Sequence, residues 1–175
     1  FLDAGLYVIR NDERKDYALI KGGNPSPIAP TAHCHNDTLS IEIWVNGIPV
    51  IIDPGTFCYT SDINKRNYFR SNALHNVITI NDEEINPLSD NVFHFNWQTN
   101  FTCADWSILP KEIRFVGAHD AYKDRFGIMI RRTVSYNLQN STWTIVDELT
   151  GNSMANQNIT SNWIMAPDIN FQYNR

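Results

Sequence analysis

Four residues between positions 31 and 80 have the types and spacing that bind a metal ion or move a proton. His33 and His35 lie two apart, Asp53 ends an apolar run, and His75 enters another. Imidazole nitrogens and a carboxylate oxygen form a zinc-type donor set that leaves a coordination position open. In an extended segment His33 and His35 would share a face. Asp53 follows Val50, Ile51 and Ile52, and a carboxylate at such a place needs a hydrogen-bond partner or a cation. The competing reading makes Asp53 the cap of the Pro54-Gly55 turn through an Asx-type hydrogen bond. His75 equally reads as a satisfied structural histidine. Cys34, between the paired histidines, reads as a packed thiol.

Positioning these residues is a task for strands. Leu39, Ile41, Ile43 and Val45 alternate with Ser40, Glu42, Trp44 and Asn46, the period of a strand packed on one face. Asn46-Gly47 predicts a tight hairpin into residues 48–53. Further strands are expected at residues 5–10, 17–20, 77–80, 92–97, 101–108, 113–116, 128–136 and 142–147, with one more at 162–165. Residues 21–30, with two Gly and three Pro, form a loop delivering the chain to His33. No amphipathic helix of about ten residues or more is visible. The expectation is an all-β fold, mainly an antiparallel β-sandwich.

Composition narrows the function classes. Hydrophobic residues at 42% and charged residues at 19% fit a globular domain rather than a disordered chain. With 14 basic and 19 acidic residues the net charge of −5 argues against a general nucleic-acid binder. No apolar run approaches the roughly 20 residues of a membrane span. Cys34, Cys58 and Cys103 are odd in number and form no CxxC pair, so no disulfide framework is expected. The opening FLDAGLYVIR lacks an initiator Met and a signal peptide, and reads as a mature product or a fragment. Lys65, Arg66 and Arg70 form a basic cluster flanked by Tyr59 and Tyr68, which on composition alone reads as an exposed loop facing solvent.

The strings HCHNDTLSIEIWVNGIPVIIDPGTFCY and RNYFRSNALHNVITI carry a resemblance. They resemble the C-terminal β-domain of the heparinase II/III family of polysaccharide lyases, whose pattern is His-x-His-x-Asp-x-Leu-Ser, Asn-Gly, Asp-Pro-Gly, Phe-Arg-Ser and Ala-x-His-Asn. Val77 stands where a Thr commonly follows. DAGLYVIR, the stretch 119–122, Arg131-Arg132 and Val146-Asp147 match more weakly. The resemblance implies that residues 1–175 are a truncated C-terminal domain of a larger lyase. It places His35, Asp53 and His75 on the ligands of one structural Zn²⁺, and His33 in the substrate cleft as a catalytic residue. Arg70, Arg66, Lys65, Tyr59 and Tyr68 would bind an acidic, uronate-containing polysaccharide cleaved by β-elimination. The principal acid–base tyrosine would come from a preceding α/α-toroid domain absent from this chain, leaving the isolated chain inactive or nearly so. A periplasmic or secreted location is implied as well.

Two rivals remain at this stage. In a cupin-like metalloprotein, Glu42 would lie too far beyond His35 for the usual spacing, and a partner histidine is lacking. A non-catalytic carbohydrate-binding or structural sandwich would use the metal only to pin loops. Asn36, Asp37 and Glu42 are the candidates to orient the ligand histidines through their second nitrogens.

Overall fold

A computed structural model describes residues 4–24, 31–91, 93–151 and 155–169. Two four-stranded antiparallel sheets and a two-stranded one account for the strands. The first sheet is β1 (Leu6–Asn11), β2 (Asp16–Lys21), β3 (Ile41–Val45) and β4 (Ile48–Ile51), in sequence order. The second is β6 (Phe101–Ile108), β7 (Glu112–Tyr122), β8 (Ile128–Asn137) and β9 (Thr142–Gly151), also in order. Between them in the chain, β5 (Ile78–Ile80) pairs with β10 (Ile159–Ser161). Among the described residues two short helices, α1 (Ile63–Arg70) and α2 (Lys123–Phe126), and 3-10 turns at Thr31–His33 and Asn72–Leu74 complete the elements. The expected antiparallel sandwich is therefore what the chain forms.

Alternation dictates the core. Tyr7, Ile9, Ala18, Ile20, Ile41 and Ile43 project from one face of the first sheet. They join one cluster with Phe115, Ile130, Val134 and Tyr136 of the second. Asn46-Gly47 makes the anticipated hairpin, both residues at positive φ (53° and 78°), as a primed turn requires. Asp16 occupies an inward position that alternation reserves for apolar residues. It accepts hydrogen bonds from Tyr136 Oη (2.7 Å), Asn46 N (2.8 Å) and Arg14 Nε (3.2 Å). Burial pushes its carboxyl pKa up, but these bonds together outweigh burial and hold it below the usual range.

Four expectations change. Residues 93–97 of the anticipated 92–97 strand are irregular, and Val92 lies outside the described residues. Aromatic alternation there has another cause: Phe95 is buried, its N–H donating to Thr31 Oγ1 (3.1 Å) and its carbonyl accepting from that hydroxyl (3.0 Å). The last strand sits at Ile159–Ser161 rather than 162–165: Asn162 N still reaches Val77 O (3.0 Å), but Ile164 N turns to Asn76 Oδ1 and Met165 makes only an isolated bridge to Ile51. Leu39 has φ 68° and precedes β3 instead of starting it. Thr31–His33 is a 3-10 turn, so His33 and His35 are not neighbours along an extended strand.

His119, on β7, is buried to 1% exposure, and its Nδ1 accepts from Ala121 N (3.3 Å). Burial first, then the Arg132 charge, pushes its pKa down to about 4, with Asp120 and Asp147 opposing. The folded value lies below the unfolded one, so the unfolded chain takes up the proton first as pH falls. The stability this neutral ring supports is complete above about pH 6.5 and is lost between there and about pH 4, on the order of 3 kcal/mol. His35 titrates in the same direction, so His119→Gln should remove about half of the acid slope rather than all of it. Urea midpoints for both proteins across this range measure the difference. An unchanged slope in the variant would show that His119 is not held neutral.

Candidate functional site

A cavity of about 310 Å³ opens where the outer face of the first sheet meets the loop after β4. His33, His35, Asp53, Tyr59, Lys21 and Glu42 are among its lining residues. The 3-10 turn leaves His33 exposed at the mouth and turns His35 inward, where it is 8% exposed. Desolvation lowers the His35 pKa to about 4, so the ring is neutral near pH 7, with the lone pair of one ring nitrogen available to a cation. Thr56 Oγ1 lies 3.5 Å from its Nε2.

Asp53 makes the Asx turn of one reading and also pairs with His75. Its Oδ1 accepts from Gly55 N (2.8 Å), an Asx turn, while Oδ2 lies 2.8 Å from His75 Nδ1. Burial pushes the carboxyl pKa up, yet the His75 contact and the Gly55 bond bring it below its usual value. The ionised oxygen accepts, which puts a proton on His75 Nδ1 and, in the neutral ring, the lone pair on Nε2. His75 is fully buried, and Nε2 has no hydrogen-bond partner among the described residues. The His35 and His75 rings stand 5.2 Å apart between centroids.

The donor types fit zinc: two imidazoles, one with an unpartnered buried nitrogen and one held neutral, beside a carboxylate. The arrangement is that of a hydrogen-bonded pair. With bonds near 2.0–2.2 Å, two ligand atoms on one tetrahedral ion stand roughly 3.4 Å apart, wider than the Asp53–His75 contact. Among the described residues no three His, Cys, Asp or Glu side chains surround a single ion position.

Tyr59 stands at the mouth, 54% exposed, edge-on to His33 with centroids 5.5 Å apart. The Arg66 guanidinium covers its ring at 5.1 Å. Of the basic cluster, Lys65 is exposed and pairs with Asp62 at 3.6 Å. Arg66 and Arg70 are buried, correcting the expectation that they face a polyanion directly. They occupy the inward side of α1, four residues apart and so on one helical face. Arg66 donates to the carbonyls of Ala32 and Cys58, and Arg70 to that of His94 (3.5 Å), its guanidinium over the Phe95 ring. Tyr68 is exposed but packs edge-on to Phe69, and it does not line the cavity.

None of the three residues expected to orient the histidines bonds to them. Asn36 serves Glu84 (2.6 Å) and Asn86, Asp37 takes Lys21 Nζ at 2.5 Å, and Glu42 faces the cavity. Burial raises the Glu42 pKa, and the neighbouring Asp53 charge adds to it. Orientation comes from Asp53 for His75. Lys21 and Thr56, which also line the cavity, escaped sequence reasoning. Lys21 lies across a loop from the histidines, and Thr56 had no signal beyond its place after Asp-Pro-Gly.

The family model described as "Heparinase II/III-like, C-terminal" matches residues 1–175, and the chain belongs to that family. It is 27% identical over 166 residues to a heparin-sulfate lyase of Bacteroides stercoris, covering 91% of this chain and 22% of that protein. The chain thus spans about a fifth of the length of this curated relative. A solved heparinase III matches with a TM-score of 0.68 at 24% identity, over 87% of this chain and 22% of that one. A heparan sulfate lyase HepC mutant from Pedobacter heparinus matches with a TM-score of 0.73 at 19% identity, over 95% and 24%. These two likenesses establish the shared fold. No helix among the described residues is long and apolar enough to cross a membrane.

Proposed function

We propose that this chain is the β-sandwich part of a lyase that cleaves a uronate-containing acidic polysaccharide by β-elimination. The observation that carries the reading is the cavity: His33 at its mouth, His35 and Asp53 in its wall, and His75 hydrogen-bonded to Asp53 behind them. In such a reaction a base removes the C5 proton of the uronate. The electron pair forms the C4–C5 double bond, the C4–oxygen bond breaks, and an acid protonates the leaving oxygen. His33 is exposed at the mouth, where a ring nitrogen can take the uronate proton or face the uronate carboxylate. Tyr59, which touches His33, offers a ring face or a phenol to the sugar, and Lys65 contributes an exposed positive charge.

His35, Asp53 and His75 would hold one Zn²⁺, whose contribution is structural: it pins the turn carrying His33 to the loop after β4. The remaining acid–base groups belong to an α/α-toroid domain elsewhere in the parent protein, which acts in the periplasm or outside the cell. The named activities of the relatives, heparin-sulfate and heparan sulfate lyases, support an acidic substrate. The test is to incubate the full-length parent with a panel of uronate polysaccharides. It should release products carrying the ultraviolet absorbance of an unsaturated uronate. New reducing ends without that chromophore would make the enzyme a hydrolase, and no cleavage of any uronate chain would favour a binding module.

A further inference from the structure

Asn76 follows His75 and is fully buried, outside the cavity lining. Every polar group it carries is engaged. Its Nδ2 donates to Ile52 O (2.9 Å), the residue before Asp53, and to Ile41 O (2.8 Å) on β3. Its Oδ1 accepts from Ile164 N (2.6 Å), and its backbone N–H donates to Ser40 Oγ (3.1 Å). Its carbonyl accepts from Arg132 Nη1 (2.5 Å), which also donates to Leu39 O (2.7 Å). Arg132 is itself clamped by both Asp147 oxygens, at 2.7 and 2.8 Å. One side chain therefore ties the His75 segment to the Asp53 segment, and its backbone ties both to the stretch leading from His35 into β3.

We infer that Asn76 is a positioning residue that sets the separation of His75 from Asp53, with the Asp147–Arg132 pair fixing Asn76 in turn. It acts on zinc only through those two residues and touches neither cavity nor substrate. An amide is required because Asn76 must donate twice to backbone carbonyls while accepting once. Aspartate would face Ile41 O and Ile52 O with an acceptor, and alanine would leave both carbonyls unpaired. Partners that orient metal ligands typically contribute about 10–100-fold to metal affinity.

This inference rests on the histidine–metal reading of the site, so its test has one readout that needs no metal. In the 175-residue chain treated with chelator, the His75 Nδ1 proton shared with Asp53 should give a low-field NMR resonance. Tyr136→Phe removes a buried hydroxyl from Asp16 at a position outside the cavity lining, and serves as the control for lost stability. The resonance should persist in the wild type and in Tyr136→Phe, and vanish or move in Asn76→Ala. Zinc affinity, read by competition with a chromophoric chelator, should fall about 10–100-fold in Asn76→Ala and stay within about twofold in Tyr136→Phe. If Asn76→Ala does not fold, Asp147→Asn takes its place and should shift the resonance and weaken zinc in the same direction by less. An unmoved resonance with unchanged zinc affinity overturns the inference. Absence of zinc binding in every protein, with the resonance lost only in Asn76→Ala, removes the metal and leaves the positioning role standing.

Discussion

Replacing Arg132 by methionine should destabilise the chain by about 3–5 kcal/mol, the range for breaking a buried charge pair from one side. Arg132 is 1% exposed, and its fork is filled: Nε and Nη2 engage Asp147, while Nη1 reaches the carbonyls of Leu39 and Asn76. Its guanidinium also lies 5.1 Å over the Trp163 ring. Methionine restores the packing of the stem but leaves a mostly buried Asp147 without its cation and two carbonyls without a donor. Lysine keeps the charge without the planar fork, and should recover less than half of the loss. Urea unfolding of the three proteins measures this. A methionine variant within about 1 kcal/mol of wild type would mean that water replaces the fork without penalty.

That strut was only partly legible in the sequence. The adjacent basic residues 131 and 132 sit on opposite faces of β8, and alternation alone could not say which one turns inward. The decision came from Asp147, the register partner of Arg132 on β9. The two main sheets were legible because Ile, Val and aromatic residues alternate through them. Residues 93–97 alternate equally well and form no strand: the Phe95 N–H and carbonyl are claimed by the Thr31 hydroxyl, 64 residues away, and the N–H groups of Phe93 and His94 by Asn91. Within the site, Asp53 was visible as a carboxylate needing partners, and it has two. The inward turn of Arg66 and Arg70 was not visible. A short helix placing residues 66 and 70 on one face leaves no signature when that face is made of arginines. His33 and His35 were paired for a reason the fold does not use. They reach one cavity because His33 closes a 3-10 turn instead of lying on a strand with His35.

The other large effect concerns His33. In the full-length parent, His33→Ala should lower turnover on a uronate polysaccharide by roughly 100- to 10,000-fold, the usual worth of a positioned acid or base. His33 is exposed at the cavity mouth and outside the buried cluster, so its removal should leave folding intact. His75→Ala should act differently. It deletes a fully buried ring whose Nδ1 holds Asp53, and should reduce both stability and zinc content. The decisive measurement combines the two on purified full-length protein: zinc per chain by elemental analysis, and the rate of unsaturated product formation. His33→Ala should retain about one zinc per chain while losing nearly all turnover. Full turnover in His33→Ala, with zinc absent even from wild type after incubation with the metal, would contradict the account.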